Sequence, residues 1–501
     1  MSIFYILFGS NVASGSTSLH SFIHSFYCFA GRLFRQTSTI ILLLLWLSAI
    51  GRAGTSSSFA ISSILFTMHL LKAFALATMA CLAGRSLAIV VTPGDSDDLV
   101  ITANNTINGT SPNAPRGMVK VRANTGKLPL SIINNFADGA VNVYITGKDA
   151  NNKVVVLKPD GNFYYPDPAG AKTPTLITQN LAIPLGGRGS ATRITIPAYI
   201  SSARIWFAAG NLKFYCFSQP DGGVAFVEPS AVNPSDPSAG VNWGFIELTW
   251  IPSGIWANIS YVDFVGLPLG MSLTASDGSV QTAKGLKAGA INNICNELKS
   301  QAASDGQPWD QLCMTTSGGT PLRVLSPNDY ISIVPNGFSS YYNSYIDSVW
   351  TKYASSTLTL DTQAQAGKVS CQVSGSVLKC NGDNRSYSKP TVKDIFGCNS
   401  GPFLIDGSDN DVHRAVVPRL CAGLERSTLL LNGGDVQPGL RAFSYYTTSP
   451  TNHFSRIVHA YEVDGKGYTF SYDDVNPDGE NQSGLVSAGE PTLLSITVGG
   501  P

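Results

Sequence analysis

Two carboxylates sixteen positions apart, Glu247 and Asp263, are the side chains of this sequence whose type and spacing best suit chemistry. Both interrupt strongly apolar, aromatic runs, at 241–250 and 258–268. An acidic side chain is costly in such a setting unless it is solvated in a cleft or hydrogen-bonded. Two carboxyl groups that flank one glycosidic bond are the usual machinery of glycoside hydrolysis. The pair therefore predicts a site that cleaves a sugar polymer.

The segment between the two acids indicates how they could meet. Pro252 and Gly254 predict a hairpin with a long loop centred near Ile255. Glu247 and Asp263 would then lie opposite each other on one face of two neighbouring strands, with Cβ atoms about 5 Å apart, or about 7–8 Å if diagonal. A slip of one residue in the register would send them to opposite faces.

Three tryptophans, Trp243, Trp250 and Trp256, lie close to the acids in the sequence. Indole faces stack well on sugar rings, so we expect all three to contact substrate. The competing interpretation is two unrelated surface acids on a half-exposed sheet. That interpretation does not account for the apolar setting of both acids or for the nearby tryptophans.

Composition excludes several classes of function. The chain has 501 residues, room for two or three domains, with 13% charged residues and a formal net charge of zero. It therefore has neither the excess of basic residues that is typical of a nucleic-acid-binding protein nor a polybasic patch for a membrane surface. Its 10% aromatic content and many glycines favour a β-rich extracellular protein. No phosphate-binding glycine loop or metal-ligand spacing is present, so no cofactor is predicted.

The N-terminal region predicts secretion. Residues 68–88 have an early basic residue, an apolar middle and the small-residue end Ser86–Ala88, which is the layout of a signal peptide. Residues 1–67 are then an upstream extension outside the fold, and the mature chain begins near Ile89. The alternative is a signal anchor that also uses the apolar run 40–50, itself too short to span a bilayer comfortably. We expect an extracellular protein that is free of the membrane after cleavage.

Cysteine usage agrees with an oxidising compartment, although sequence alone does not prove connectivity. The natural sequential pairs are Cys295–Cys313, Cys371–Cys380 and Cys398–Cys421. Cys216, in an apolar strand-like run, is then a buried free thiol. Glycosylation sequons stand at Asn104, Asn108, Asn258, Asn384 and Asn481. Of these, Asn258 lies too close to the proposed cleft to be an evident acceptor.

Other titratable residues receive structural interpretations. His413, His453 and His459 are not accompanied by a nucleophile motif such as GxSxG, so structural or surface roles are predicted. Asp473 and Asp474 are interpreted as turn-capping residues, because no repeated aspartate ladder surrounds them.

Hydrophobic periodicity divides the mature chain into four regions. These are a polar N-terminal segment at 89–126, a β domain at 127–276, a mixed α/β domain at 277–440 and returning strands at 441–501. The β domain has short strands separated by turn residues, which is typical of a sandwich or barrel. The mixed domain has helical stripes at 284–302, 341–354 and 411–424 around a cysteine-bracketed hairpin at 369–380. The strongly β segments 467–472 and 492–498 are expected to complete the first domain.

Four phrases of the sequence, 227–237, 243–249, 258–269 and 468–475, resemble glycoside hydrolase family 64. The resemblance runs from about Leu128 to the C-terminus. It implies a mainly β fold with an α+β second domain, in which a thaumatin-like β-barrel packs against a mixed α/β domain beside a wide groove. It also implies a secreted endo-β-1,3-glucanase.

The resemblance assigns roles to individual residues. It implies that Glu247 is the general acid and Asp263 the general base of an inverting reaction, which needs about 6.5–9.5 Å between the two carboxyl groups. It places Thr249, Trp256 and Ser260 along the groove. The expected partner is β-1,3-glucan, cut by a monomer into short laminari-oligosaccharides, typically the pentasaccharide. The alternative is a non-catalytic, thaumatin-like β-glucan-binding protein, which would not need both acids in one groove.

These roles require the two acids to differ in charge. Ile246 and Leu248, with the nearby tryptophans, are expected to desolvate Glu247 and so favour its protonated form. Asp263 is expected to be open to water beside the hydroxyls of Ser260 and Tyr261 and to stay ionised.

Overall fold

Short strands make up most of the fold. The computed structural model describes residues 88–108 and 126–501. The predicted upstream extension and all of the predicted signal peptide except its last residue lie outside the described residues. In chain order the strands are β1 (Ile89–Val90), β2 (Thr106–Asn108), β3 (Leu128–Asn134), β4 (Asn142–Lys148), β5 (Val154–Leu157), β6 (Phe163–Tyr164), β7 (Thr175–Leu176), β8 (Ile183–Pro184), β9 (Ala191–Ile196), β10 (Ile200–Ala209), β11 (Tyr215–Ser218), β12 (Val224–Val227), β13 (Asn242–Ile251), β14 (Gly254–Ile259), β15 (Phe264–Val265), β16 (Leu269–Ala275), β17 (Val280–Ala283), β18 (Cys313–Thr315), β19 (Pro321–Leu325), β20 (Leu358–Asp361), β21 (Lys368–Ser374), β22 (Val377–Cys380), β23 (Ser386–Tyr387), β24 (Val436–Gln437), β25 (Val486–Ala488) and β26 (Pro491–Val498).

Helices are concentrated in the second half of the chain. The α-helices of the described ranges are α1 (Ala290–Asp305), α2 (Pro327–Ile333), α3 (Asn343–Ser355), α4 (Val392–Gly397), α5 (Asp411–Glu425) and α6 (His453–Tyr461). Short 3-10 turns lie at Ser96–Asp98, Ala103–Asn105, Trp309–Leu312, Gly401–Phe403 and Ala442–Ser444. In the part of the chain that the structure describes, no helix is both long enough and apolar enough to cross a bilayer.

The largest sheet has the strand order β25-β14-β13-β10-β4-β5-β6, with β8 beside β4. A row of four isoleucines crosses its core face, Ile145 on β4, Ile205 on β10, Ile246 on β13 and Ile259 on β14, paired in register and at most 1% exposed. Because side chains alternate between the faces of a strand, this row commits the neighbouring positions to the opposite face.

A second sheet has the order β17-β16-β26-β3-β9. The C-terminal strand β26 lies between β16 and β3, antiparallel to the first and parallel to the second. Alternating residues of β3 and β26, such as Leu130, Ile132, Leu494 and Ile496, are at most 1% exposed and join the apolar core that also holds the largest sheet. The fold is therefore mainly β with added helices, as predicted. Its thaumatin-like form and the division into domains stay predictions.

Helices surround a third sheet, which has the order β23-β22-β21-β20-β24. The three predicted helices are confirmed as α1, α3 and α5, although α1 begins six residues late, after Gly289 in the left-handed region at φ 72°. The predicted strand at 467–472 is wrong. Only Tyr468 makes a bridge there, to Ser260, because Thr469 and Asp473 bond to each other across a turn.

The predicted cysteine pairing is found in the structure. Disulfides join Cys295 to Cys313, Cys371 to Cys380 and Cys398 to Cys421, and Cys216 is free and buried. The second and third of these close loops in the helix-rich half, where β21 meets β22 and where α4 meets α5.

Candidate active site

A tight hairpin joins β13 to β14. Ile251 pairs with Gly254, so the turn contains only Pro252 and Ser253. Proline suits the first turn position, because its ring pre-sets φ there. Gly254 has φ +142°, and a Cβ at this position would meet the carbonyl oxygen of Ala488 at 2.6 Å. Only glycine satisfies both conditions, so the turn and the register that follows from it are closely specified.

The register places Glu247 directly opposite Asn258 and not opposite Asp263. The predicted pairing of the two acids across the hairpin is therefore wrong. The hairpin centre lies between Pro252 and Ser253 and not near Ile255, so the strand β14 has already ended when the chain reaches Asp263.

A row of polar side chains crosses the sheet on the face opposite the isoleucines. In register across four strands, Thr146 lies beside Arg204, Arg204 beside Glu247 and Glu247 beside Asn258. Arg204 Nη2 is 3.8 Å from Glu247 Oε1, and Asn258 Nδ2 donates to Glu247 Oε2 at 3.2 Å. The Glu247 side chain is 39% exposed, so it is oriented by two neighbours and still open to a ligand.

Arg204 is fixed by an ion pair with Glu228 and by contact with the ring of Phe245. Its Nη1 lies 2.7 Å from Oε2 of Glu228, which is 1% exposed, and its guanidinium stacks 4.7 Å from the ring centre of Phe245. Thr146 donates to the other Glu228 oxygen at 2.5 Å and accepts from the indole of Trp206 at 3.0 Å. Burial opposes the charge of Arg204, but Glu228, Glu247 and Asp263 together raise the pKa of its guanidinium. The cation is therefore permanent and fixed.

Asp263 reaches the same charge cluster from a different element. It lies in the connection between β14 and β15, where its carbonyl accepts a hydrogen bond from Ser326 N at 2.8 Å. Burial raises the pKa of Asp263; the charge of Arg204 lowers it, and that of Glu247 raises it. Asp263 is half-buried and not open to water as expected, and the side chain of Tyr261 beside it is only 5% exposed.

A third carboxyl group, Asp329, lies next to Asp263. It is in the first turn of α2, where its amide donates to the Oγ of the N-cap Ser326 at 3.2 Å. Burial, followed by the charge of Asp263, raises the pKa of Asp329 well above its ordinary value. Sequence reasoning missed this residue, because an aspartate three positions after a serine, with a proline directly after that serine, is also the ordinary signature of a helix start.

An open cleft of about 520 Å³ extends over the polar row. Its lining includes Glu247, Arg204 and Asn258, together with two of the predicted groove residues, Thr249 and Trp256. These last two lie opposite each other in register, and Trp256 is 41% exposed, so its indole is available for a sugar ring. The volume lies within the range of ordinary ligand sites.

Other predicted groove residues lie elsewhere. Trp243 and Trp250 are 1% and 4% exposed and pack in the core, so their predicted contact with substrate is wrong. The chain returns over Trp243, where Leu267 N donates to its carbonyl, and Trp250 packs at a tilt against Tyr199 on the opposite face of the sheet. Neither tryptophan can therefore desolvate Glu247. Ile246 and Leu248 also point into the core and cannot do so.

Ser260, which was expected along the groove, is not among the residues that line this cleft. It is half-buried one residue past β14, where it forms a bridge with Tyr468 and its Oγ accepts from Val262 N at 3.4 Å. Ile251, at the hairpin end of β13, is also half-buried.

Sequence reasoning missed Arg204, Glu228 and Thr146 as site residues. Thr146 and Arg204 come from the strands β4 and β10, and Glu228 directly follows β12. The signal that could have found Glu228 is its place in the family-like phrase 227–237, where an acid again interrupts an apolar stretch. Within residues 88–108 and 126–501, no cluster of histidine, cysteine and acidic side chains could hold a metal ion.

Most of the chain is similar to a known protein family. The model of glycoside hydrolase family 64, described as β-1,3-glucanase, matches residues 126–498. The chain belongs to this family. Glucan endo-1,3-beta-glucosidases of Arthrobacter sp. (strain YCWD3) and Cellulosimicrobium cellulans are each 25% identical over 375 residues, or 74% of this family 64 chain. The chain spans 64% of the length of either relative.

Two solved family 64 structures are similar to the fold. A laminaripentaose-producing β-1,3-glucanase in complex with laminaritetraose is 31% identical, with a TM-score of 0.64, and the match covers 74% of this chain and 98% of that one. A β-1,3-glucanase domain from Clostridium beijerinckii is 22% identical, with a TM-score of 0.55 over 75% of this chain and 98% of that one. The second likeness concerns the fold alone.

Proposed function

We propose that this family 64 chain is a secreted endo-β-1,3-glucanase that cleaves β-1,3-glucan with inversion and releases short laminari-oligosaccharides. The observation that carries the proposal is an open cleft lined by Glu247, Arg204 and Trp256, with Asp263 interacting with the same guanidinium from the connection between β14 and β15. Its family membership and the laminaritetraose complex of the 31% identical relative support the choice of a β-1,3-linked glucan.

Glu247 is proposed as the general acid. Its half-exposed carboxyl group lies in the cleft, where a bound glucan would displace water from it. Loss of water favours the protonated form of a carboxyl group, which can then donate to the leaving oxygen. Asn258 Nδ2 donates to Oε2 of Glu247 and so orients the carboxyl group.

Asp263 is proposed as the general base. Burial raises the pKa of Asp263, and a carboxylate with a raised pKa accepts a proton from water more readily once it is ionised. The charge of Arg204 acts in the opposite direction and lowers the pKa of Asp263, which favours its ionised form. The two acids thus share one cation, which links their charge states.

The test is hydrolysis of linear β-1,3-glucan by the purified mature chain, with products resolved by length and by anomer in NMR spectra. Short oligosaccharides that first appear as the α-anomer support the proposal, and β-anomer products overturn inversion. Glu247→Gln and Asp263→Asn should each lower the rate at least about 10²-fold with glucan binding kept. Glu297→Gln, which removes a carboxylate outside the cleft lining, is the matched control.

An activated substrate separates the two roles. With a leaving group that needs no protonation, Glu247→Gln should regain much of its rate and Asp263→Asn should not. The reverse pattern would exchange the roles of the two acids. A parent chain that binds glucan without producing new reducing ends would instead be a non-catalytic glucan-binding protein.

A further inference from the structure

The N-terminal strap, residues 88–108, precedes the region that the family model matches, yet it reaches the candidate active site. Two short strands anchor it. β1 runs parallel to β18, and β2 pairs with β12 through Thr106 opposite Val227 and Ile107 opposite Phe226. The strap thus adds an edge strand to each of two sheets that the matched region forms.

Further contacts hold the strap between these strands. Thr92 N donates to Pro234 O at 2.9 Å, Gly94 N donates to Ser235 O at 3.0 Å, and Asn233 Nδ2 donates to Asp98 O at 2.7 Å. Val91 and Ile107 are only 4% and 8% exposed, so their burial adds apolar contacts near both ends. The strap is therefore packed against the fold through hydrogen bonds and buried apolar side chains.

The strap contributes a backbone group to the charge cluster. Asn104 O accepts from Arg204 Nη1 at 2.9 Å, on the same nitrogen that binds Glu228. The next residue, Asn105, closes the turn: its side chain accepts from Thr102 N at 2.7 Å and donates to Val100 O at 2.9 Å. Asn105 is buried whereas Asn104 is exposed, so of these two asparagines only Asn104 is available to a ligand in the cleft.

The strap also forms a wall of the cleft. Ala103, Asn104, Thr106 and Ile107 line it, and Trp256 lines it from β14. In the order of the strands, Trp256 lies on one side of Glu247 and Arg204 on the other, and the strap bonds to Arg204. A glucan that stacks on Trp256 and passes over Glu247 therefore continues towards the strap.

We propose that the strap determines substrate specificity, with Asn104 as its substrate-contacting residue. The exposed amide of Asn104 hydrogen-bonds the hydroxyls of a glucose unit on the side of Glu247 away from Trp256. Ala103, the small neighbour, leaves room for that unit. This inference rests on the proposed β-1,3-glucanase function, and it concerns residues outside the family match.

Binding and product length test the strap in the full mature chain, made in a bacterial host so that the sequon at Asn104 is unmodified. In a Glu247→Gln background, Asn104→Ala should weaken binding of a linear β-1,3-linked glucose hexasaccharide about 2- to 12-fold, the value of one neutral hydrogen bond. The substitution keeps the backbone carbonyl that binds Arg204.

With Glu247 intact, Ala103→Phe should fill the space beside the strap and shift the lengths of the products. Asp97→Ala, on the strap but outside the cleft lining, is the matched control and should match the parent in both assays.

Unchanged hexasaccharide affinity in Asn104→Ala, together with unchanged product lengths in Ala103→Phe, would overturn the strap proposal. Glucan hydrolysis by the parent would then still stand. If the parent produces no oligosaccharides, the proposed function fails, but the affinity measurement still decides whether Asn104 contacts the sugar. Should Asn104→Ala lower the melting temperature, the isosteric Asn104→Asp variant tests the loss of the amide donor in a folded protein.

Discussion

Glu247 and Arg204 face each other directly across β13 and β10, with 3.8 Å between Oε1 and Nη2. The same guanidinium interacts with Asp263 and is held by the buried Glu228. One cation therefore serves both proposed catalytic acids. Its position follows from the pairing of two strands that lie about forty residues apart in the chain.

Arg204 should control the acidic limb of the pH–activity profile. A general base works only when it is ionised, and Arg204 lowers the pKa of Asp263. Arg204→Ala removes that effect, so the pKa of Asp263 rises and the limb of kcat/KM moves to higher pH. Arg204→Lys keeps a charge and should move the limb less. An active Arg204→Ala enzyme with an unshifted limb would contradict the assignment of Asp263.

Trp256 and Trp250 should respond differently to truncation. Trp256→Ala removes an exposed stacking surface and should raise KM for glucan fivefold or more, equivalent to about 1 kcal/mol of aromatic contact, with the melting temperature kept. Trp250→Ala removes a core side chain and should cost about 3–5 kcal/mol of stability without a specific effect on KM. Steady-state kinetics and thermal melts of both variants decide between these patterns, and equal KM values would remove Trp256 from the site.

His459 should make stability fall at alkaline pH. Its Nδ1 lies 2.7 Å from Glu462 and its Nε2 3.0 Å from Asp473, and these carboxylates outweigh burial and raise the pKa of His459 to about 10. A raised pKa stabilises the fold fully below the unfolded value of about 6.5, and the contribution is lost as pH rises towards 10.

The matched variant is His459→Gln, which cannot carry the charge. It should be less stable at neutral pH by about 3–5 kcal/mol, because the buried Glu462 loses its cationic partner and Asp473 keeps only Arg426. Its unfolding free energy should then change less between pH 7 and pH 10 than that of the parent. Parallel curves for the two proteins would show that His459 is not the titrating group.

Cys216 should be the single free thiol of the mature chain. The three disulfides use the other six cysteines after residue 88, and burial raises the pKa of the Cys216 thiol. Titration with a thiol reagent at neutral pH should find little reaction in the native protein and one thiol per chain after unfolding without reductant. A Cys216→Ser variant should abolish that reaction, and a second reactive thiol in it would contradict the pairing.

Processing should leave both strands of the strap in the mature chain. The predicted cleavage follows Ala88, and β1 begins at the next residue, Ile89. N-terminal sequencing of secreted protein should therefore begin at or near Ile89. Residues from 1–67 in the secreted protein would show that the predicted signal peptide is not removed there.

The sequence by itself indicated the family, the mainly β fold, the principal helices, the disulfide pairs and the two acids. These follow from local signals: periodicity along one strand or helix, the spacing of cysteines, and acids that interrupt apolar runs. The family resemblance also placed Trp256 and Thr249 along the groove, and both line the cleft because they stand on the same hairpin as Glu247.

Only the tertiary structure decided which residues meet. The two-residue turn at Pro252–Ser253 placed Asn258, and not Asp263, opposite Glu247. The chain that returns over β13 buried Trp243, although it alternates onto the same face as Glu247. Arg204, Glu228 and the strap residue Asn104 reach the site from separate elements, through contacts that span from 24 to 100 positions in the chain. A periodicity read along one segment carries no information about such contacts, since register and burial depend on the strands that pack alongside.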